Sequence, residues 1–185
     1  MKNFSLHSVR FTFRILKIED VSDRYISWLN DSDINKFLET RFQVQTRESC
    51  ESFVLAMQED PSHYLFGIFD NESGLHIGNI KLGFIDANHK KAQISFFIGD
   101  KTFWGRRCAI ESIECVTKWG FETLRLTRIE AGCYEENFAS IRAFLRVGYI
   151  VEGFQRSAFK FEEQNIGCFL LGMISSDPFR DGING

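Results

Sequence analysis

The sequence is poor in several features that identify protein classes. It contains two prolines in 185 residues, and no stretch rich in proline and serine divides it. We therefore expect one domain over residues 1–185, with a tail after about residue 176. No run of roughly 18 apolar residues occurs, and residues 1–5 lack the apolar core of a signal peptide. These absences predict a cytoplasmic protein that neither crosses nor binds a membrane.

The sequence also lacks an excess of positive charge and any cluster of metal ligands. The formal net charge is −3, which gives no overall attraction to nucleic acid, so we expect no nucleic-acid partner. The histidines are isolated and the cysteines form no C-x-x-C pair, so we expect neither a metal site nor a disulfide framework. The cysteines, which we expect to be reduced, are Cys50, Cys108, Cys115, Cys133 and Cys168.

Alternating strand and helix patterns fill the chain and predict an α/β fold. Apolar residues alternate with polar ones from Val9 to Ile15, which indicates a first strand. Three apolar stretches separated by polar turns indicate an antiparallel meander over residues 64–69, 75–85 and 92–98. Helices are predicted at 19–30, 46–60, 109–120 and 137–148, and further strands at 128–133, 149–161 and 167–174. Together they predict a mixed, mostly antiparallel sheet of about seven strands flanked by helices.

The most informative segment is a strand, a basic loop and a helix in succession. Residues 94–98 are apolar, residues 104–109 read Trp-Gly-Arg-Arg-Cys-Ala, and a helical pattern follows. A strand that turns through a basic loop into a helix N-terminus presents backbone N–H groups and a positive dipole end to an anion. The segment therefore predicts a pyrophosphate site. Glu111, in the first turn of the helix, is predicted to be stabilised by the helix dipole and not to act as a general base.

This loop, together with Asn137 and Ser140 and the Gly148-Tyr149 pair, resembles the GCN5-related N-acetyltransferases (GNAT) over nearly the whole chain. The likeness is greatest to the branch of ribosomal-protein N-terminal and amino-sugar acetyltransferases. It implies acetyl-CoA as the donor, a primary amine as the acceptor, and a sheet that splays between its fourth and fifth strands. The residues that the resemblance assigns to acetyl-CoA are Phe96, Phe97, Ile98, Trp104, Gly105, Arg106, Arg107, Cys108, Ala109, Asn137, Ser140 and Phe144.

Three residues depart from the pattern of the family. Arg107 stands where the family has glycine, and we predict that it keeps a negative φ and contacts a phosphate through its charge. Gln93 replaces a glutamate that often acts as general base, so water is the expected base. Phe144 replaces the tyrosine that protonates the thiolate in many relatives, which leaves Ser140 as the predicted proton donor or sulfur-orienting group.

The resemblance also assigns roles to the backbone and to one thiol. The backbone N–H of Phe97 or Ile98 is expected to polarise the acetyl carbonyl, which makes these two residues and Ser140 the predicted catalytic set. Cys108 has no activating base in the sequence, so we do not expect an acyl-cysteine route.

Two segments near the N-terminus resemble acetyltransferases that act on nucleotide-linked amino sugars: residues 28–31 (Trp-Leu-Asn-Asp) and 37–42 (Phe-Leu-Glu-Thr-Arg-Phe). Trp28 is predicted to stack on a sugar or base, and Arg41 to meet a diphosphate. Asn30 and Phe42 complete the predicted substrate site. The alternatives are a core role for Trp28 and a solvated surface position for Arg41.

The sequence thus predicts transfer of acetyl to the amino group of a nucleotide-linked amino sugar, by direct attack in a ternary complex. Two alternative functions stay open. One is acetylation of a protein N-terminus, and the other is a CoA-binding module without turnover. The expected partner is a small-molecule amine, and the oligomeric state, a homodimer included, stays open.

Overall fold

A computed structural model describes residues 4–180. Residues 1–3 of the N-terminal segment and residues 181–185 of the predicted tail lie outside the described residues. One sheet holds eight strands in the order β1-β2-β3-β4-β5-β6-β8-β7. The strands are β1 (Ser5–His7), β2 (Phe11–Ile15), β3 (Tyr64–Asp70), β4 (His76–Asp86), β5 (Lys91–Ile98), β6 (Arg128–Tyr134), β7 (Ile150–Phe161) and β8 (Gln164–Ile174).

Five α-helices flank this sheet: α1 (Asp23–Asn30), α2 (Ser32–Asn35), α3 (Arg47–Glu59), α4 (Cys108–Glu122) and α5 (Phe138–Val147). Their N-termini follow the chemistry of helix caps, because the side chains of Ser22 and Thr46 accept hydrogen bonds from first-turn amides of α1 and α3. Gly148 follows α5 with φ of 127°, as predicted for a residue that ends a helix.

The predicted meander is confirmed, because β2 to β5 pair antiparallel in chain order. The predicted splay is also confirmed and lies between β5 and β6, the predicted fourth and fifth strands. These two strands run parallel and pair only from Lys91↔Arg128 to Gln93↔Glu130. Beyond Gln93 they separate, and an opening forms at the centre of the sheet.

The structure adds an edge strand and shortens the predicted first strand. Ser5–His7 pairs antiparallel with Arg14 to Thr12, so the sheet of the described chain has eight strands where about seven were predicted. Val9 lies in the turn between β1 and β2, with 77% of its surface exposed, and is not part of the first strand. Three residues of alternation are too few to distinguish β1 from a loop.

Each face of the sheet carries its own apolar core. On one face α4 and α5 pack over the central strands, with Ile113, Val116 and Phe144 buried among them. On the other face α1 and α3 pack with Leu16, Leu65 and the ring of Phe97. Neighbouring residues of one strand thus contact different helices, as the alternation of side chains requires.

Residues 175–180 of the described chain fold back onto α4 and α5. The Arg180 amide donates to the Val147 carbonyl at 3.1 Å, and the Phe179 ring lies 6.5 Å from that of Phe121. Within residues 4–180 no helix is long and apolar enough to cross a membrane. The same residues contain no group of three or more side chains placed to hold a metal ion.

Candidate active site

The opening between β5 and β6 is lined by backbone groups of β5. The Gly99 amide donates to the Ile77 carbonyl of β4 at 2.9 Å, whereas the Ile98 carbonyl accepts from the indole Nε1 of Trp104 at 2.8 Å. Successive residues of a strand direct their backbone groups to opposite sides. The N–H groups of Phe96 and Ile98 therefore point away from β4, into the gap.

The same alternation corrects the assignment of Phe97. Phe97 is paired with Asn79 in an uninterrupted stretch of the β4–β5 ladder, so its N–H points toward β4. Its side chain lies on the α1 face, 6.3 Å from the ring of Trp28. Of the two backbone donors predicted from the sequence, only Ile98 faces the opening.

A short 3-10 turn, Lys101–Phe103, leads from β5 into the basic loop. Asp100 caps this turn by accepting from the Thr102 amide at 2.9 Å, and it also forms an ion pair with Arg24 of α1. These bonds and the indole of Trp104 fix the loop against the end of β5. The loop is therefore held in place by α1 and β5 together.

Arg107 has a left-handed backbone, with φ of 62° and ψ of 15°, and the prediction of a negative φ is wrong. It occupies the N-cap position of α4, two residues after Gly105, whose φ is 72°. The chain must reverse between β5 and α4, and it does so with these two left-handed residues. An arginine thus adopts the conformation that glycine adopts at little cost, which for other L-residues costs roughly 1–2 kcal/mol.

The N-terminus of α4 offers first-turn amides that no residue four positions earlier can satisfy. Its N-cap residue Arg107 has no side-chain acceptor to bond them. The amides of Cys108 and Ala109 therefore begin the helix at its positive dipole end. This arrangement is chemically suited to a phosphate or pyrophosphate.

Arg10, which the sequence did not single out, joins the loop to the start of β2. Its backbone N–H and Nε donate to the two oxygens of Glu111, at 2.8 and 2.7 Å, and its Nη1 donates to the Arg106 carbonyl at 2.9 Å. Glu111 is 5% exposed, so Arg10 neutralises a buried carboxylate close to the predicted anion site. The sequence assigned Glu111 only a favourable position at the helix dipole. In the structure Glu111 is also the ion-pair partner of Arg10.

The helix α5 begins beside the same opening. Asn137 is its N-cap and accepts from the backbone N–H of Ser140 at 3.2 Å, so this cap bond does not use the serine hydroxyl. Phe144 is 2% exposed, and its ring lies 5.7 Å from Phe96 and 5.0 Å from Tyr149. Phe144 thus belongs to an apolar layer under β5 and has no group that could donate a proton.

Cys108 is buried at the start of α4, where its thiol donates to the Phe103 carbonyl at 3.3 Å. Burial raises the pKa of this thiol. The thiol is therefore protonated near neutral pH and is not a nucleophile.

The predicted substrate residues of α1 are structural in this fold. Trp28 is 5% exposed, and its ring lies against Gly99, where a Cβ would come within 2.1 Å of it. Asn30 bonds the Ile26 and Gln45 carbonyls and accepts from the Gln45 amide. Neither side chain is free to contact a ligand. The Trp28 ring packs under the end of β5, and the Asn30 amide group bonds backbone groups that close the loop after α1.

Arg41 also differs from its predicted position. Its guanidinium donates to the carbonyls of Leu38 and Lys160, at 2.8 and 2.6 Å, and to the Tyr134 hydroxyl at 3.0 Å. It is 12% exposed, so it is neither a solvated surface charge nor a cation available to a diphosphate. Arg41 fastens the 3-10 turn Glu39–Phe42 to β7, while Phe42 remains 59% exposed.

Aromatic rings surround Tyr134 at the end of β6, near Arg41. Tyr134 lies 4.9 Å from Phe159 and 6.0 Å from Phe37, and Phe37 stacks on Phe161 at 5.5 Å. The Tyr134 hydroxyl donates to Glu39, and burial together with this bond raises the tyrosine pKa to about 12. We call Phe37, Glu39, Tyr134, Phe159 and Phe161 the aromatic wall.

Comparison with known proteins agrees with this arrangement. The profile of the acetyltransferase (GNAT) domain matches residues 10–150. The chain belongs to the GNAT acetyltransferase family, and it is an N-acetyltransferase that uses acetyl-CoA.

Particular relatives extend the match over almost the full length. The uncharacterised N-acetyltransferase p20 of Bacillus licheniformis is 25% identical over 175 residues, which are 94% of this chain and 97% of the relative. A GNAT-family acetyltransferase from Bacillus anthracis superimposes with a TM-score of 0.79 at 20% identity, covering 92% of this chain and 98% of that one. The spermidine N-acetyltransferase from Vibrio cholerae, solved with CoA and spermine, gives 0.82 at 19% identity, covering 91% and 98%.

Proposed function

We propose that this protein transfers the acetyl group of acetyl-CoA to a small-molecule primary amine by direct attack in a ternary complex. The observation that carries the proposal is the gap beyond Gln93↔Glu130, into which the N–H groups of Phe96 and Ile98 point. The first turn of α4 begins at the same end of β5. One ligand with a carbonyl at one end and a pyrophosphate further along would satisfy both sets of donors.

The residues around the gap fit acetyl-CoA, which supplies the activated acetyl group. Amides at the start of α4, with Gly105, Arg106 and Arg107, would bind the pyrophosphate. The Ile98 N–H would bind the acetyl carbonyl, where a preorganised donor contributes about 2.7–4 kcal/mol in related acyl transfer. Phe96 and Phe144 form an apolar floor on this side of β5.

Ser140 is the proposed partner of the sulfur, as the resemblance implied. It lies in the first turn of α5, partly exposed, and its hydroxyl is not used in the Asn137 cap bond. Phe144 has no donor, and the only described thiol in the loop, Cys108, is buried and bonded to a carbonyl. Ser140 is therefore the hydroxyl that we assign to orienting the sulfur or protonating the thiolate, directly or through water.

The structure supports a small amine more than a nucleotide-linked amino sugar. A sugar nucleotide needs a cation for its diphosphate, and the guanidinium of Arg41 is bonded to two carbonyls and a hydroxyl of the protein itself. We take the aromatic wall and the neighbouring turn Glu39–Phe42 as the acceptor side of the opening. The bond from Arg41 to Lys160 joins this turn to β7, and a side closed in this way favours a small molecule over an extended peptide.

Two measurements test the proposed function. Calorimetry with CoA checks donor binding, and a thiol-release assay with acetyl-CoA and a panel of primary amines checks turnover. The panel contains diamines and polyamines, amino-sugar nucleotides and N-terminal peptides. We expect CoA binding and thiol release with at least one small amine. CoA binding without thiol release for any member would instead establish a binding module, and turnover of peptides alone would establish protein N-terminal acetylation.

A further inference from the structure

We infer that Glu39 binds a second, non-reacting ammonium group of the acceptor, while another amine of the same molecule attacks the acetyl group in its neutral form, and that Glu39 thereby selects cationic amines; the inference rests on the proposed acetyl transfer. Glu39 is the acidic member of the aromatic wall, and its side chain is 67% exposed. It combines a fixed position with access to solvent. The acidic residues that contact the basic loop, Asp100 and Glu111, are instead largely buried in ion pairs.

The position of Tyr134 places Glu39 at the opening. The β5–β6 pairs run from Lys91↔Arg128 to Gln93↔Glu130, and continuing this register brings Tyr134 level with Phe97. Tyr134 thus lies across the gap from the strand end whose Ile98 N–H faces inward. Its hydroxyl reaches Glu39, so the carboxylate is one side chain away from the gap.

The contacts of Glu39 leave one of its oxygens available. Within the described chain, its bonds to Tyr134 and to Arg41, the latter at 3.5 Å, both fall on Oε1. Oε2 can therefore accept from an ammonium group in a charge-assisted hydrogen bond. Arg41 does not compete strongly for this charge, because its shorter bonds go to Leu38, Lys160 and Tyr134.

The surrounding rings suit the same ligand. Phe37 stacks on Phe161, and the ring of Tyr134 lies near both Phe37 and Phe159. Aromatic faces attract cations and accommodate methylene chains, whereas they offer nothing to a phosphate. A flexible alkyl amine with a second positive charge fits this wall better than an anionic amino sugar.

Tyr134 acts as a positioning residue in this scheme. Its hydroxyl donates to Glu39, and burial raises its pKa to about 12, so the hydroxyl stays protonated well above physiological pH. Burial among the aromatic rings fixes the direction of that bond. The carboxylate is thus oriented before a ligand arrives, which lowers the entropic cost of binding.

Steady-state kinetics with acetyl-CoA and spermidine as the cationic probe test the inference. For Glu39→Gln we expect the KM of spermidine to rise roughly tenfold or more, with the KM of acetyl-CoA unchanged and kcat within about twofold. Glu39→Asp should recover part of the affinity, and Tyr134→Phe should raise the spermidine KM by a smaller factor. Glu59→Gln, at an exposed carboxylate ending α3, is the matched control and should behave as wild type.

Several outcomes would overturn the inference. An unchanged spermidine KM in Glu39→Gln would do so, as would a loss of kcat at constant KM, which indicates proton transfer instead of recognition. Turnover of an amino-sugar nucleotide but not of spermidine would refute the cationic acceptor while leaving acetyl transfer intact. Absence of CoA binding and of thiol release with every amine would remove the proposed function itself.

Discussion

The donor side and the acceptor side of the opening are built by different means. On the proposed donor side, the groups assigned to the ligand are mostly backbone amides, of Phe96, Ile98 and the first turn of α4. On the proposed acceptor side they are side chains, Glu39 and the rings around Tyr134. Backbone groups are set by strand pairing and helix geometry, so many sequences produce them, whereas the acceptor side depends on which side chains meet.

This difference determines which kinetic parameter a substitution on each side is expected to change. The donor side depends on backbone conformation more than on side-chain identity, and at position 107 an arginine adopts the left-handed conformation that glycine favours. A substitution in the aromatic wall changes the chemistry presented to the acceptor directly. We therefore expect donor variants to affect kcat or CoA affinity, and acceptor variants to affect the amine KM.

The largest expected effect comes from removing one donor amide. Ile98→Pro deletes an N–H that faces the gap and does not serve the β4–β5 ladder, so the sheet loses no bond. We expect kcat to fall by roughly 10²–10³, the range for losing an oxyanion donor. Ile98→Val keeps the amide and should retain nearly full kcat. Equal rates for Ile98→Pro and wild type, with the fold verified by circular dichroism, would show that this amide does not bind the carbonyl.

An intermediate effect is expected on the acceptor side. Arg41→Met keeps the length of the side chain but leaves the Leu38 and Lys160 carbonyls without their donor. We expect the free energy of unfolding to fall by about 1–2 kcal/mol, since both carbonyls lose a bond from a charged donor, but the Lys160 bond is exposed and its carbonyl can bond water instead. The amine KM should rise while CoA affinity, measured by calorimetry, stays constant. Arg41→Lys retains the charge with fewer donors, so its free energy of unfolding should fall by a smaller amount. A weaker CoA affinity in either variant would contradict the separation of the donor and acceptor sides.

The smallest effect concerns the left-handed residue of the donor loop. Arg107→Gly removes the cost of a positive φ, and we expect the free energy of unfolding to rise by about 0.5–1 kcal/mol in denaturant titrations. The same variant should bind CoA roughly tenfold more weakly, because a positive charge beside the pyrophosphate is lost. Arg107→Asn loses the charge but tolerates the left-handed backbone, so it should reproduce the affinity loss. Unchanged affinity in both variants would mean that Arg107 serves the turn alone.

The same contrast explains how much could be predicted from the sequence. The strand, loop and helix of the donor side are contiguous, and their order was predicted correctly from residue 92 to residue 120. The acceptor side joins Arg41 to a carbonyl 119 residues away and Glu39 to a tyrosine 95 residues away, which no local pattern encodes. The partnership of Arg10 with Glu111, 101 residues apart, was missed for the same reason.

Two corrections arise within the local segments themselves. The left-handed φ of Arg107 follows from the reversal between β5 and α4, which residue preferences alone do not reveal. Choosing between the N–H groups of Phe97 and Ile98 required the register of β4 against β5. A motif thus located the loop, but only the hydrogen-bond partners of its flanking strand fixed the direction of each amide.

The parallel pairing of β5 with β6 covers three residue pairs, and through it the sheet passes from β1–β5 to β6–β8. The sheet is therefore continuous only along a short seam. A ligand inserted beyond the seam would act as a substitute strand that holds the two halves together. Its dissociation constant would then enter the folding equilibrium, because a ligand at 100 times its Kd stabilises the folded state by about 2.7 kcal/mol. In a cell, the supply of acetyl-CoA would in this way influence the fraction of the protein that is folded.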